Sequence, residues 1–499
     1  MRKNSFHTIV QWTAVIFVLI LFCYFRIKPI IFQTVPYTYD QGRDFLKAEE
    51  IVRFKNPTFI GPTTGAQGLH HGAWWYYFLS IVFFIFNGWP LGFYYGIFAF
   101  TLISIFLFFL FLKKEFSFWT AFLFLLIVTV SPYFIRISFF PANNILTPSA
   151  VLLLIYATYM FFKTNKPFHL GLIGLALGMI TETEFSFGTF IIPSFFLLCF
   201  FFKDFRQSLK NKQSVLFFII GLGFPFLPRI LFNLKNHFIE ITGTLHFLKT
   251  TPPTNPTSLT GAIGARVNLF VKYYLDVVYD HNVEIALALA AGMISTFILG
   301  YKKLKPHVTK STIFLFIIMI LTFAVSLINK NNFFWDNYIE GIHYIQLYII
   351  LMGFEGLLHI KKLSRISYLI VGAFLILNVI LFFQQSRDKK PIPDIGLRAD
   401  MMTVNYIYNQ TNNKNFCVRI YTPPIVPYTY NYLFSYDSKV LKYQSPSTDF
   451  VDNSCWFILD KESYVKRVEE WRKANTPENA KLIKTHTMPN GATVELWKM

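Results

Sequence analysis

Charge is scarce in this sequence. Only 15% of its 499 residues are Asp, Glu, Lys or Arg, against 54% hydrophobic and 19% aromatic. Soluble domains average about 25% charged residues, and the apolar residues here come in many separate runs. Together with 60 phenylalanines, this excludes a soluble globular chain and points to a polytopic α-helical membrane protein. Acids are scarcer still, 27 against 46 Lys and Arg, for a net charge of +19. A nucleic-acid partner would require one contiguous basic face. The cations instead fall in short clusters between apolar runs, as cytoplasmic loops do under the positive-inside rule. No glycine-rich phosphate loop and no nucleophile constellation is visible. No small-residue cleavage site follows the first apolar run, 9–25; Arg26-Ile27-Lys28-Pro29 does, so the run is read as a retained span rather than a signal peptide. Cysteines are few. Cys23 and Cys199 lie in spans as core residues, whereas Cys417 and Cys455 each open a strand of the tail. Sequence gives no distance between those two, so a disulfide and two free thiols are both open.

Twelve apolar runs are present: 9–25, 74–86, 91–112, 117–135, 146–162, 168–180, 188–202, 214–232, 283–299, 311–328, 338–358 and 366–383. The basic clusters lie at the N-terminus, Lys113-Lys114, Lys163/Lys166, Lys203 to Lys212, Lys302 to Lys310 and Lys361 to Arg365. If all are cytoplasmic, the spans from 117 onward alternate without conflict, provided that 74–112 crosses once. AWWYYFLSIVFFI is shorter than the ~20 residues of a span and opens on an interfacial Trp/Tyr cluster. It is therefore read as a juxtamembrane or re-entrant helix. The expectation is about eleven transmembrane helices in the cell membrane, N-terminus cytoplasmic. The membrane part is 1–383, with a first external loop at 26–73. Residues 386–499 form a small extracytoplasmic α/β domain, with strands in CVRIYT, SCWFILD and ATVELW and helices in ADMMTVNYIYNQ and YVKRVEEWRKA.

This topology collects polar residues on the outer face. TYDQGRDFLKAEEIVR, in the first loop, puts Asp40 and Asp44 four apart on one helix face, with Arg43 between them. Asp40, flanked by Tyr37 and Tyr39 near the first span, is expected to be partly desolvated and to serve as general base. Capping that helix is its competing role. Glu49, Glu50, Arg53 and Lys55 are read as a solvated, mutually neutralising face. The same outer face receives His71, Arg136, Asn143 with Asn144, Glu182 and Glu184, Arg229 with Asn233 and Lys235, and Asp336 with Tyr338 and His343. Ionisable groups at membrane depth are costly and mark functional sites. A lone one snorkels to the interface; four clusters on one face suggest a shared pocket. Acids beside cations at a membrane surface suit a phosphorylated lipid, with Arg229 and Lys235 on the phosphate and a carboxylate taking a hydroxyl proton. Metal spacing is not met by His70/His71 or Glu182/Glu184, so no cofactor is expected; the two glutamates could hold a divalent cation, but a hydrogen-bonded sugar or a buried polar role suits them better. PTNPTSLTGAIGARVNLF reads as a mobile external loop.

TYDQGRD, GPTTGAQGLHHGAWWYYFL, SPYFIRISFFPANN and FLPRILFNLKNHF together resemble the GT-C superfamily of membrane glycosyltransferases, of the protein O-mannosyltransferase and aminoarabinose transferase type. The resemblance covers the membrane part and implies a polyprenyl-phosphate sugar donor and inverting, outward-facing transfer to a lipid, glycan or protein acceptor. It implies that Asp40 matches the family's base. Gln41 replaces the Glu that usually follows, and His71-Gly72-Ala73 keeps the family's His while losing its prolines. A transporter, flippase or polymerase of lipid-linked glycans is the competing class. It predicts charges deep in the spans and internal repeats, and neither is visible. A sensor with an external binding domain is a third class, one the charged first loop does not require.

Overall fold

The computed structural model describes residues 2–64, 68–250, 257–279, 282–328, 336–360, 363–388, 396–423 and 426–499. All twelve apolar runs are helical: Arg2–Ile31, Trp74–Phe86, Pro90–Glu115, Phe118–Val130, Thr147–Thr164, Pro167–Thr183, Phe185–Phe201, Lys212–Lys235, Val283–Gly300, Pro306–Val325, Ile342–Leu358 and Ser364–Asp388. Among the described residues, seven helices are long and apolar enough to cross a bilayer unaided. Eleven crossings would therefore need shorter helices to cross within broken segments. Phe118–Val130 is of this kind: it stops at Ser131, and Pro132 starts a further turn over Pro132–Arg136. Large apolar side chains point away from the bundle, Phe84 at 77% and Phe201 at 78% exposure. Such a surface suits lipid rather than water.

Two helix pairings place the polar residues. Helices Pro167–Thr183 and Lys212–Lys235 approach through Gly171, Gly174 and Gly178; a Cβ on Gly174 would sit 2.6 Å from the Phe218 carbonyl oxygen. In lipid, where apolar area does not discriminate, small residues allow this contact. The pair carries Glu182 and Arg229 to one end of the bundle. The basic clusters gather at the other end. Lys163 meets Glu115 at 2.5 Å and Lys310 meets Asp204 at 2.9 Å, while the Tyr159 hydroxyl lies 2.8 Å from Glu115 and 3.4 Å from His307.

Of the expected mobile loop PTNPTSLTGAIGARVNLF, the described part, 257–270, is helical from Leu259 onward. Ile239–Thr250 and Leu259–Val278 are helices, the second capped by the Ser258 hydroxyl on the Gly261 amide at 3.1 Å. Tyr273 and Phe270 pack that helix against His343 and Phe323, which is why an amphipathic segment too polar to span becomes ordered. The proline-rich residues 251–256 and the stretch 329–335 lie outside the described residues.

The tail folds into one mixed sheet of β1 (Val418–Tyr421), β2 (Ser454–Leu459), β3 (Lys481–Thr487) and β4 (Thr493–Lys498), in the order β1-β2-β4-β3. β1 and β2 are parallel, and the other pairs antiparallel. Cys417 and Cys455, at the starts of the parallel pair, form a disulfide. The helix Tyr428–Lys439 docks the tail on helix Tyr39–Arg53 of the first loop. Tyr37 donates to the Thr429 carbonyl at 2.9 Å, Tyr432 packs on Phe45, and Lys439 and Ser435 hold Glu49 at 3.0 and 2.7 Å. Glu49 is thus buried and spoken for, not part of a solvated face; Arg53 also pairs with it at 3.1 Å. Gly42 sits at the contact, and a Cβ there would lie 2.5 Å from the Thr429 amide nitrogen and the Tyr428 carbonyl carbon. Neither backbone can yield cheaply, so Gly42→Ala should cost about 1–3 kcal/mol of overpacking. The expected result is faster proteolytic release of the tail from otherwise intact protein. Unchanged cleavage would mean that the two helices do not bear on each other as described.

Candidate active site

Helix Tyr39–Arg53 starts sharply. Gln41 Oε1 accepts from the Thr38 amide at 2.8 Å and from its hydroxyl at 2.7 Å, while its amide nitrogen donates to the Pro141 carbonyl at 2.8 Å. Thr38 is the N-cap, so Asp40 lies inside the first turn and does not cap the helix. The double duty of Gln41 needs an acceptor and a donor on one side chain. A glutamate would supply only the first.

One turn holds three charges. Asp44 is buried, accepting from the Trp75 indole at 2.7 Å, Tyr76 at 3.3 Å and Arg43 at 2.8 Å. Burial pushes its carboxyl up to about 6 despite Arg43 and Trp75, which act the other way. Arg43 bridges outward to Asp40 at 3.0 Å, whose side chain is 61% exposed. Asp40 is therefore not desolvated as expected; Asp44 is the buried carboxylate. The buried acid fixes the arginine, and the arginine fixes the exposed acid.

A second cluster lies behind the end of the first loop. Arg229 is held on every side: Nε to Glu182 at 2.7 Å, one terminal nitrogen to Glu240 at 2.7 Å, the other to the His70 carbonyl at 2.9 Å. A phosphate would have to displace one of these partners, so the sequence-based role of Arg229 as clamp does not fit this geometry. Two buried carboxylates require the cation first. Glu240 was not singled out by the sequence. It reaches Arg229 because the chain reverses through His237 and Phe238, both at positive φ (52° and 58°), with the Phe238 amide on the Asn233 carbonyl at 2.7 Å. Burial works to raise the Glu240 carboxyl, but hydrogen bonds from His70 and the charge of Arg229 hold it below the usual carboxylate range. His71 stands between the clusters. Burial, then Arg229 and Arg43, push its imidazole down to about 3, so it is neutral at pH 7. Gly72, next to it, leaves no room for a side chain against Glu182.

The third cluster is built on the break after Phe118–Val130. Tyr133 lies 2.5 Å from His343 Nδ1 and donates to Glu340 at 3.3 Å; Asn144 donates to the other Glu340 oxygen at 3.3 Å. Asn143 donates to the Thr183 carbonyl at 2.6 Å, between the buried Glu182 and Glu184. Arg136 is exposed, with its guanidinium 5.6 Å from the Tyr133 ring. Tyr338 is half-buried, near Glu184. Gln41 on Pro141 ties this cluster to the first. Lys235 joins none of them: it is exposed at its helix end and makes no ion pair among the described residues. Of the residues expected on one face, Asp40, Arg43, Asp44, His71, Arg136, Asn143, Glu182, Glu184, Arg229, Tyr338 and His343 form this connected set. Among the described residues, no group of three or more His, Cys, Asp or Glu is arranged to hold a metal ion.

Residues 70–232, about a third of the chain, match the family model described as dolichyl-phosphate-mannose-protein mannosyltransferase. The fold resembles the crystal structure of ArnT from Cupriavidus metallidurans bound to undecaprenyl phosphate, with a TM-score of 0.56, 10% identity, and 97% of each chain covered. Its apo structure aligns at a TM-score of 0.47 and 9% identity over 99% of this chain and 98% of that one. A comparison with curated proteins found no match. The matched segment begins at His70 and ends within helix Lys212–Lys235, so it takes in Gly72, Glu182 and Arg229, and the fold carries the tail as well as the bundle. Over nearly its whole length the chain thus shares the fold of a solved membrane protein, and over 70–232 it is similar in sequence to the mannosyltransferase family.

Proposed function

We propose that this enzyme transfers a sugar from a polyprenyl-phosphate donor to an acceptor hydroxyl at the outer face of the cell membrane, with Asp40 as general base. The observation that carries the reading is the relay Asp44–Arg43–Asp40, which presents an exposed carboxylate from a rigid helix beside the bundle. The hydroxyl oxygen attacks the anomeric carbon from the face opposite the phosphate. The bond from that carbon to the phosphate oxygen breaks, polyprenyl phosphate leaves as an anion, and the hydroxyl proton passes to Asp40. A phosphate leaves without a strong general acid, so one base and one cation suffice. With Arg229 occupied, Arg136 is the cation we assign to the phosphate, since a guanidinium offers it two parallel donors. No metal or cofactor enters this scheme. The tail disulfide supports an oxidising, external compartment. The clustering of basic loops at the opposite end supports a cytoplasmic N-terminus and eleven crossings.

The test is chemical. Membranes containing the protein should consume undecaprenyl-phosphate-linked sugar and release undecaprenyl phosphate, and a deletion strain should accumulate a lipid-linked sugar. A donor pool unchanged in the deletion strain, with no release in vitro, would sink the reading.

A further inference from the structure

The relay helix meets the tail around a cavity of about 390 Å³ that none of the roles above uses. Tyr39, which immediately precedes Asp40, forms one wall; its ring meets Tyr428 edge to face at 4.8 Å. Asp400, Asp460, Lys461 and Asn490 also line it. Tyr430 donates to Asp460 at 2.7 Å. Neither carboxyl has a cation among the groups that act on it, and burial pushes both upward.

The lining selects by chemistry. A phosphate would face two acids. An alkyl chain would cover both carboxyls without giving them a donor, at a cost in desolvation. An ammonium group would satisfy the acids but leave Lys461 facing a like charge. A sugar ring fits all of it: hydroxyls donate to Asp400 and Asp460 and accept from Lys461 and Asn490, while C–H faces lie on the tyrosines. A few convergent polar groups beside aromatic walls, in a pocket of several hundred Å³, is the usual make-up of a small-ligand site.

We infer that this cavity is a saccharide subsite, and that it holds the sugar of a glycan acceptor whose hydroxyl reaches Asp40. This rests on the transferase reading. The tail then does more than brace the first loop: it supplies one wall of the acceptor site.

The experiment uses the full chain in lipid nanodiscs. Saturation-transfer NMR is run with methyl α-D-mannopyranoside, methyl β-D-glucopyranoside and methyl β-D-galactopyranoside as probes. At least one should receive saturation from the wild type. Tyr428→Ala should weaken its binding about 5- to 10-fold, the scale of one or two lost contacts. Lys461→Ala, an exposed change that leaves the fold alone, should weaken it in the same direction. No signal with any of the glycosides, or a signal that both variants keep in full, overturns the subsite. Asp40→Asn in the same preparation separates the two ideas. It should keep the glycoside signal while losing transfer, so a failure of the transferase reading appears in the transfer assay alone.

Discussion

Asp40→Asn should lower sugar transfer by about 10²- to 10⁴-fold, the usual contribution of a positioned general base. Expression, thermal stability and donor binding should stay near wild type. The substitution is clean because of where Asp40 sits. Thr38 and Gln41 cap the helix, so the amide removes no cap. The carboxylate is exposed, so no buried acceptor is left empty. Its ionic partner among the described residues, Arg43, keeps Asp44 at 2.8 Å, so the guanidinium holds its place. An asparagine at 40 occupies the same space and still accepts a hydrogen bond; what it cannot do is take the proton. Asp44→Asn predicts a different pattern. It loosens Arg43 and through it the aim of Asp40, so turnover should fall while a slower transfer persists. Equal, near-wild-type transfer in Asp40→Asn would remove Asp40 from the chemistry.

The relay was legible in the sequence because its members are neighbours. Asp40, Arg43 and Asp44 lie within one helical turn, and helix geometry alone puts them on one face. Their order of burial was not legible. Asp44 is inside because Trp75 and Tyr76, thirty residues away, supply donors to it. The twelve apolar runs were legible from composition, and every one is a helix. Two parts of the tail were missed for opposite reasons. β3 is exposed along its whole length, so it carries no buried face to give an alternating pattern. Helix Tyr428–Lys439, rich in Tyr, favours strand by local preference. Its docking on Gly42, Phe45 and Glu49 overrides that preference. Glu240 was hidden by a chain reversal at two non-glycine residues of positive φ, for which the sequence offers no turn signal.

The same hidden contact decides what Arg229 does. Arg229→Ala should destabilise the protein by about 3–5 kcal/mol, the scale for breaking a buried ion pair from one side. Glu182 and Glu240 have side chains only 0% and 3% exposed, and both lean on this guanidinium. Without it, two carboxylates face each other in a medium that solvates neither. Arg229→Lys should recover part of the loss. It restores the charge but not the fork that reaches Glu182, Glu240 and the His70 carbonyl together. Neutralising the acids should recover more: Glu182→Gln with Glu240→Gln, in the Arg229→Ala background, removes the uncompensated charge and should restore most of the lost unfolding temperature. A phosphate-clamping arginine predicts the reverse. Arg229→Ala would then fold normally and lose donor affinity, and the two glutamine changes would restore nothing. Thermal unfolding of the four proteins, beside donor binding to each, distinguishes the outcomes. Full stability in Arg229→Ala would show that the pairing with Glu182 and Glu240 is not what holds this end of the bundle.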